Sequence, residues 1–180
     1  MEPLMALQEL SNQMQLEPAE DYPCQLQPAA QPRKRRPEDH IIHPAVMPNG
    51  KRIRLLKTLQ TSACERNCYY CPFRAGRDFR RTTLSPDEMA QAFMGLQRAG
   101  IAEGLFLSSG IAGNSLRTQD KILETAEILR KKMGFKGYIH LKIMPGAEYD
   151  QVFQAMRLAD RVSLNLEAPN TKRLAMLAPR

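Results

Sequence analysis

No apolar run in the 180-residue chain approaches the roughly 18 residues that a membrane span requires. The opening residues, MEPLMALQEL, start with an acid and lack the basic segment of a secretory signal, so a cytoplasmic location is expected. Cysteine is scarce, with four residues, too few for a disulfide scaffold at this length. Residues 1–32 contain five acids and no Lys or Arg, and no internal repeat runs at periods of 20–50 residues. A wholly disordered chain is excluded too, because 43% of the residues are hydrophobic, enough for a core.

Charge is unevenly spread. Residues 33–81 hold thirteen Lys or Arg against four acids, within a chain whose net charge is +7. A block this basic suits a polyanionic partner or a charged cofactor, or forms a solvated face. Prolines at 18, 23, 28, 32, 37, 44 and 48 accompany the run Arg33-Lys34-Arg35-Arg36. Residues 1–48 are therefore expected to be a disordered Pro/Gln-rich tail, apart from a short amphipathic helix in MALQELSNQMQL. The basic run reads as a nucleic-acid-binding arm or a solubilising linker.

From residue 51 the pattern alternates between strand and helix. KRIRLLKTLQ, GLFLSS, GYIHLKIM and RVSLNLEA read as four strands. Ser85, Pro86 and Glu88 open the first intervening helix as a capping box with Pro at its first position. Met89, Phe93 and Leu96 supply its buried stripe, and Gly100 stops it. Ile122, Ala126, Leu129 and Met133 mark a second helix that Gly134 ends, Asp150–Leu158 a third and Thr171–Leu177 a fourth. Such an order makes right-handed βαβ units on a parallel sheet, either doubly wound or part of a barrel.

The chemistry is concentrated in Cys64-Glu-Arg-Asn-Cys68-Tyr-Tyr-Cys71, a CxxxCxxC spacing on the loop after the first strand. Four cysteines in this length would produce it by chance about 0.002 times. Structural zinc takes four ligands, usually as two separated pairs, and no second pair is present. Three thiolates on a compact loop suit a [4Fe–4S] cluster with its fourth iron left open for reaction. Arg66, Arg74 and Arg77 would favour the thiolate forms.

These residues resemble the radical S-adenosylmethionine (SAM) superfamily, whose signature is CxxxCxφC with φ usually aromatic. Cys64, Cys68 and Cys71 match the cluster ligands and Tyr70 matches φ. The resemblance implies that SAM chelates the open iron and is reductively cleaved to a 5′-deoxyadenosyl radical that abstracts hydrogen from substrate. It also places cofactor contacts. Ser108-Ser109-Gly110 stands where many members have Gly-Gly-Glu, so the contact to the methionyl amino group falls to carbonyls or hydroxyls. Asn165 and Glu167 match an N-x-acid pattern facing ribose and substrate. Strand alternation would put Ser163, Asn165 and Glu167 on one side, and His140 and Lys142 on one face of the preceding strand, as cofactor contacts or as a hydrated strand end.

Residues 51–180 are similar, more narrowly, to a radical SAM subfamily assigned to DNA modification or repair and associated with a uracil-DNA-glycosylase-like partner. The fold expected is a partial (β/α) barrel, ending after about four strands, where the superfamily barrel has roughly six units. On that expectation 180 residues form the first part of a longer protein and are inactive alone. A second reading moves the radical chemistry to RNA, and a third is a non-catalytic iron–sulfur or zinc module that binds nucleic acid. If the Arg33–Arg36 run touches phosphates, changing its four residues to Gln will weaken duplex binding and flatten the log–log salt slope by about 2–4 units, read by fluorescence anisotropy.

Overall fold

The computed structural model describes residues 2–14, 41–47 and 50–179. Among the described residues five strands form a single sheet in chain order: β1 (Ile42–Val46), β2 (Arg52–Leu59), β3 (Gly104–Ser108), β4 (Tyr138–Lys142) and β5 (Arg161–Ser163). β2 to β5 are parallel to one another and β1 is antiparallel to β2. A doubly wound sheet reverses its strand order at a switch point. Here the order never reverses among the described residues, so the α/β architecture is that of a partial barrel.

Alternation divides the parallel strands into two faces. Leu56, Leu105, Leu107, Ile139 and Leu141 are buried on the helix-covered side. They meet α2 (Pro86–Arg98) and α3 (Ser115–Glu127), whose Phe93 and Ile122 are fully buried. The first crossover helix is built as its sequence predicts. The Ser85 amide donates to Glu88 Oε2 at 2.8 Å and the Glu88 amide to Ser85 Oγ at 3.3 Å. The Ser85 amide, and then the Ser85 hydroxyl that donates to the same Oε2 at 2.7 Å, hold the Glu88 carboxyl below the usual carboxylate range.

The expected second helix ends earlier as an α-helix. After Glu127 the chain widens into a π-turn, Ile128–Lys132. Arg130 in that turn donates to the carbonyl oxygens of Leu158, Phe135 and Gly137 and to Asp160 Oδ2, tying the turn to the starts of β4 and β5. α4 (Tyr149–Leu158) and α5 (Thr171–Leu177) follow where expected.

Two corrections concern the chain's first 48 residues and its last strand. α1 (Pro3–Gln13) packs against β2 and α2 and buries Ala6, Leu7 and Leu10, with Met14 just beyond it. The prolines that argued for a tail begin at residue 18, after this helix, and say nothing against it. β1 lies within the segment expected to stay out of the core. Its Pro44 lacks an amide to donate, but β1 is a sheet edge, where that loss is tolerated. The rest of the expected tail, residues 15–40 with Cys24 and the basic run, lies outside the described residues.

The last strand is three residues long rather than eight. The Ile143 amide still donates to Ser163 O at 2.8 Å, but the chain then turns away, and Glu167 adopts φ 59°. Asn165 and Glu167 are therefore placed by a loop and not by strand alternation. Among the described residues no helix is long and apolar enough to cross a membrane.

If α1 belongs to the core, Leu10→Ala will destabilise the protein by about 2–5 kcal/mol. Met5→Ala, on the exposed side of the same helix, will change stability by less than about 0.5 kcal/mol. Chemical denaturation compares the two.

Candidate metal and cofactor site

The segment between β2 and α2 is a loop closed at its neck. The Ser62 amide donates to Thr82 O at 2.9 Å, the Thr82 amide to Ser62 Oγ at 2.9 Å, and the Leu84 amide to Gln60 O at 3.1 Å. Gln60 is buried and its side chain joins the closure: Nε2 donates to Leu84 O, and Oε1 accepts from Thr125 of α3. Backbone polar groups pulled out of water are thereby paired within the neck.

Inside the loop, Arg81 supplies what a hydrophobic core supplies elsewhere. Its Nη1 donates to Ser62 O and Phe73 O, both at 2.7 Å, and its Nη2 donates to Arg74 O at 2.9 Å and Arg77 O at 3.4 Å. The guanidinium also lies 4.0 Å from the Phe79 ring centroid, and Phe79 packs on the buried Phe73. A planar fork of donors reaches several carbonyls at once, which a lysine ammonium on its flexible stem does not.

The arc so held carries Cys64, Cys68 and Cys71, all half-buried. The Cys71 amide donates to Cys68 O at 3.0 Å, and the Phe73 amide points at Cys71 Sγ at 3.4 Å. The turn after β3 closes against this arc. The Gly110 amide donates to Thr61 O and the Glu65 amide to Ile111 O, both at 2.7 Å. A Cβ on Gly110 would sit 2.4 Å from the Ala63 carbonyl oxygen, so only glycine allows this approach.

Above the carboxyl ends of β2 to β5 lies a cavity of about 560 Å³. The three cysteines line it together with the six other nominated residues, Tyr70, Ser108, Ser109, Gly110, Asn165 and Glu167. Tyr70 of the cysteine loop and Glu167 of the segment after β5 line the cavity close enough to interact. Burial first, and then the Glu167 hydrogen bond and charge, push the Tyr70 phenol well above its ordinary range. Burial also raises the Cys68 thiol, with the neighbouring Cys64 adding to it; Tyr70 and Arg66 pull the other way.

Some lining residues carry no signature that a sequence pattern would catch. Phe73, Ile111, Met144 and, from α5, Leu174 form apolar wall. α5 is held to the cysteine loop by the Tyr69 amide, which donates to Leu177 O at 2.8 Å. Of the arginines flagged near the cysteines, Arg66 lines the cavity and donates to Ser115 Oγ. Arg81 went unnoticed because nothing in the sequence separates it from Arg80, which makes a surface ion pair with Glu9.

The donor set fits an iron–sulfur cluster. Thiolate is a soft ligand suited to iron–sulfur chemistry, and each thiolate of a cluster binds a different iron. Among the described residues no three His, Cys, Asp or Glu side chains converge as they would on a single ion.

Residues 58–180 match the family described as the radical SAM superfamily. The chain belongs to the radical SAM superfamily. Members use a [4Fe–4S] cluster and S-adenosylmethionine, and the three thiols and the cavity beside them are where this chain can hold both. Among solved structures the fold is similar to the crystal structure of HydG, a maturase of the [FeFe]-hydrogenase, with a TM-score of 0.56 at 16% identity. The match covers 70% of this chain and 28% of that one, so the chain spans under a third of that structure's length. A comparison with curated protein sequences finds no match.

Arg81→Lys will lower stability by about 2–3 kcal/mol and reduce the iron retained after anaerobic reconstitution. Arg80→Lys will leave both nearly unchanged, within about 0.5 kcal/mol. Denaturation curves and an iron assay on the two variants test the assignment.

Proposed function

We propose that this protein is a radical SAM enzyme that modifies or repairs nucleic acid, with DNA as the substrate. The observation that carries the enzyme reading is the gathering of three cysteines on one cavity built on the carboxyl ends of parallel strands. This is the end where barrel enzymes keep their sites. A cluster with one iron open to SAM supplies one-electron cleavage of the sulfonium and, through it, a radical able to abstract hydrogen.

The chain's own residues do the rest of the work. Cys64, Cys68 and Cys71 are the ligands, and Arg81 holds their loop through its carbonyl oxygens. Ser108, Ser109 and Gly110 offer hydroxyl and carbonyl oxygens to the methionyl amino group in place of an acid. Ser109 Oγ donates to Gly110 O at 2.7 Å, which leaves the hydroxyl oxygen's lone pairs to accept from an ammonium. Asn165 and Glu167 line the same cavity and serve ribose or substrate. Tyr70 and Glu167 bridge the rim, and the apolar wall of Phe73, Ile111 and Met144 keeps water from the reacting atoms.

Support for a nucleic-acid substrate is the basic segment 33–81 and the subfamily resemblance of residues 51–180. The same reading puts the protein in the cytoplasm, alongside a uracil-DNA-glycosylase-like partner. A substrate RNA remains the second reading, favoured by the same basic segment.

Alanine at Cys64, Cys68 or Cys71 will abolish most iron binding after anaerobic reconstitution, while Cys24→Ala will keep it. Adding SAM will change the electron paramagnetic resonance spectrum of the dithionite-reduced protein, and 5′-deoxyadenosine will accumulate. A stoichiometric cluster whose spectrum ignores SAM would defeat the enzyme reading.

A further inference from the structure

α3 packs on the sheet, and three of the polar side chains on its buried face reach other segments of the site. Ser115 Oγ accepts from Arg66 Nη2 of the cysteine loop at 3.2 Å. Gln119 Oε1 accepts from the Met144 amide, just beyond β4, at 2.8 Å. Thr125 Oγ1 donates to Gln60 Oε1 in the neck at 2.8 Å. All three are buried, Gln119 and Thr125 completely.

Gln119 is the unusual member. Glutamine is mostly an exposed residue, and burying its amide costs free energy unless hydrogen bonds replace water. Its Oε1 has such a bond, while its Nε2 makes none with the described residues. The oxygen is therefore the working end, and its partner matters. Met144, Pro145 and Gly146 line the cavity, and so does Arg66. Gly146, at φ 85°, lies close to the helix: a Cβ there would come within 3.3 Å of Ser115 Cβ and Oγ. Ser115 and Gln119 are four residues apart on one helix face, about 6 Å along its axis. A single stretch of helix thus holds the cysteine loop at one residue and the turn after β4 at the other.

From this arrangement we infer that Gln119 is a positioning residue for SAM: it fixes the turn after β4 relative to the cysteine loop, and so sets the width of the cavity in which SAM binds. Gln119 does not itself line that cavity. It acts through the Met144 amide. Without the Gln119 oxygen that amide, in a buried residue, has to move to find another acceptor, and residues 144–146 move with it. The inference rests on the enzyme reading and deepens it. Displacing a binding group by about 1 Å is costly even when the displaced group is remote from the chemistry.

SAM binding is measured by equilibrium dialysis on the anaerobically reconstituted whole protein, together with bound iron and the denaturation midpoint. Gln119→Met, similar in length but without the acceptor, should weaken SAM binding by about tenfold or more and leave bound iron unchanged. Gln119→Glu, kept protonated by burial, still offers a carbonyl oxygen to Met144 and should bind SAM within about threefold of the unaltered protein. The nitrogen it replaces has no hydrogen bond to lose among the described residues. Arg130→Met serves as the comparison for stability. It frees the starts of β4 and β5, at the opposite end of the sheet from the cavity, and should lower the denaturation midpoint without changing SAM affinity.

Unchanged SAM affinity in Gln119→Met refutes the inference. So does an equal loss in Arg130→Met, which would mean that SAM binding merely follows stability, or an equal loss in Gln119→Glu. Loss of iron from Gln119→Met refutes it as well, because the residue would then serve the cluster loop. If Gln119→Met does not fold, Gln119→Asn carries the same test, since it keeps the amide but draws the oxygen back by one carbon. Unaltered protein that holds its cluster and binds no SAM is a different result, which defeats the enzyme reading and this inference with it.

Discussion

A loop that carries three thiols has to hold its shape before metal binds, and in this chain the Arg81 guanidinium meets that need. Four carbonyl oxygens, from residues 62, 73, 74 and 77, turn inward to one cation. Carbonyls on a loop would otherwise face water, and the loop would have as many conformations as its solvation allows. Gathering them on a charged donor fixes the path of the chain on both sides of the cysteines. The neck from Gln60 to Leu84 closes the loop, and Gly110 then lets the β3 turn lie directly against Ala63. Cavity, thiol spacing and the approach of the neighbouring strands all depend on that frame.

The two faces of the sheet illustrate how one alternating pattern serves two purposes. Leu56, Leu105, Leu107, Ile139 and Leu141 exclude water beneath the helices as part of the buried apolar core. Of the polar residues between them, Ser108 and Lys142 line the cavity. The Phe106 ring, near the Lys57 and Lys142 ammonium groups, gives them a polarisable surface in place of solvent. Stability thus comes from one side of the sheet and chemistry from the other.

Much of this could be read from the sequence, for reasons that differ by element. The capping box at Ser85, the glycine stops at 100 and 134 and the apolar periodicity are local signals, and the helices follow them. The cysteine spacing is local too, and its three members do line one cavity. Where local composition misled, tertiary contact was the missing information. α1 is a short helix beside a proline-rich stretch, and it owes its place to burial against β2 and α2. Pro44 looked incompatible with a sheet until β1 was seen to be an edge. Asn165 and Glu167 reach the cavity, but by a loop with a left-handed residue, which no period-2 pattern describes. Arg81 was invisible because its partners are backbone oxygens, and these leave no trace in residue identity.

The hydrogen bond from the Tyr69 amide to Leu177 O joins segments separated by 108 residues. At a synthesis rate of about 5–20 residues per second, the cysteines leave the ribosome roughly 5–20 s before α5 exists to wall them. For that interval the thiols ride on a nascent chain whose cavity lacks one side, reachable by oxidants and by stray metal. Arg81, only ten residues beyond Cys71, emerges within about 2 s at the slower rate. The loop's internal frame is therefore available early and the wall comes late, an order that favours cluster insertion into a pre-shaped but still open site.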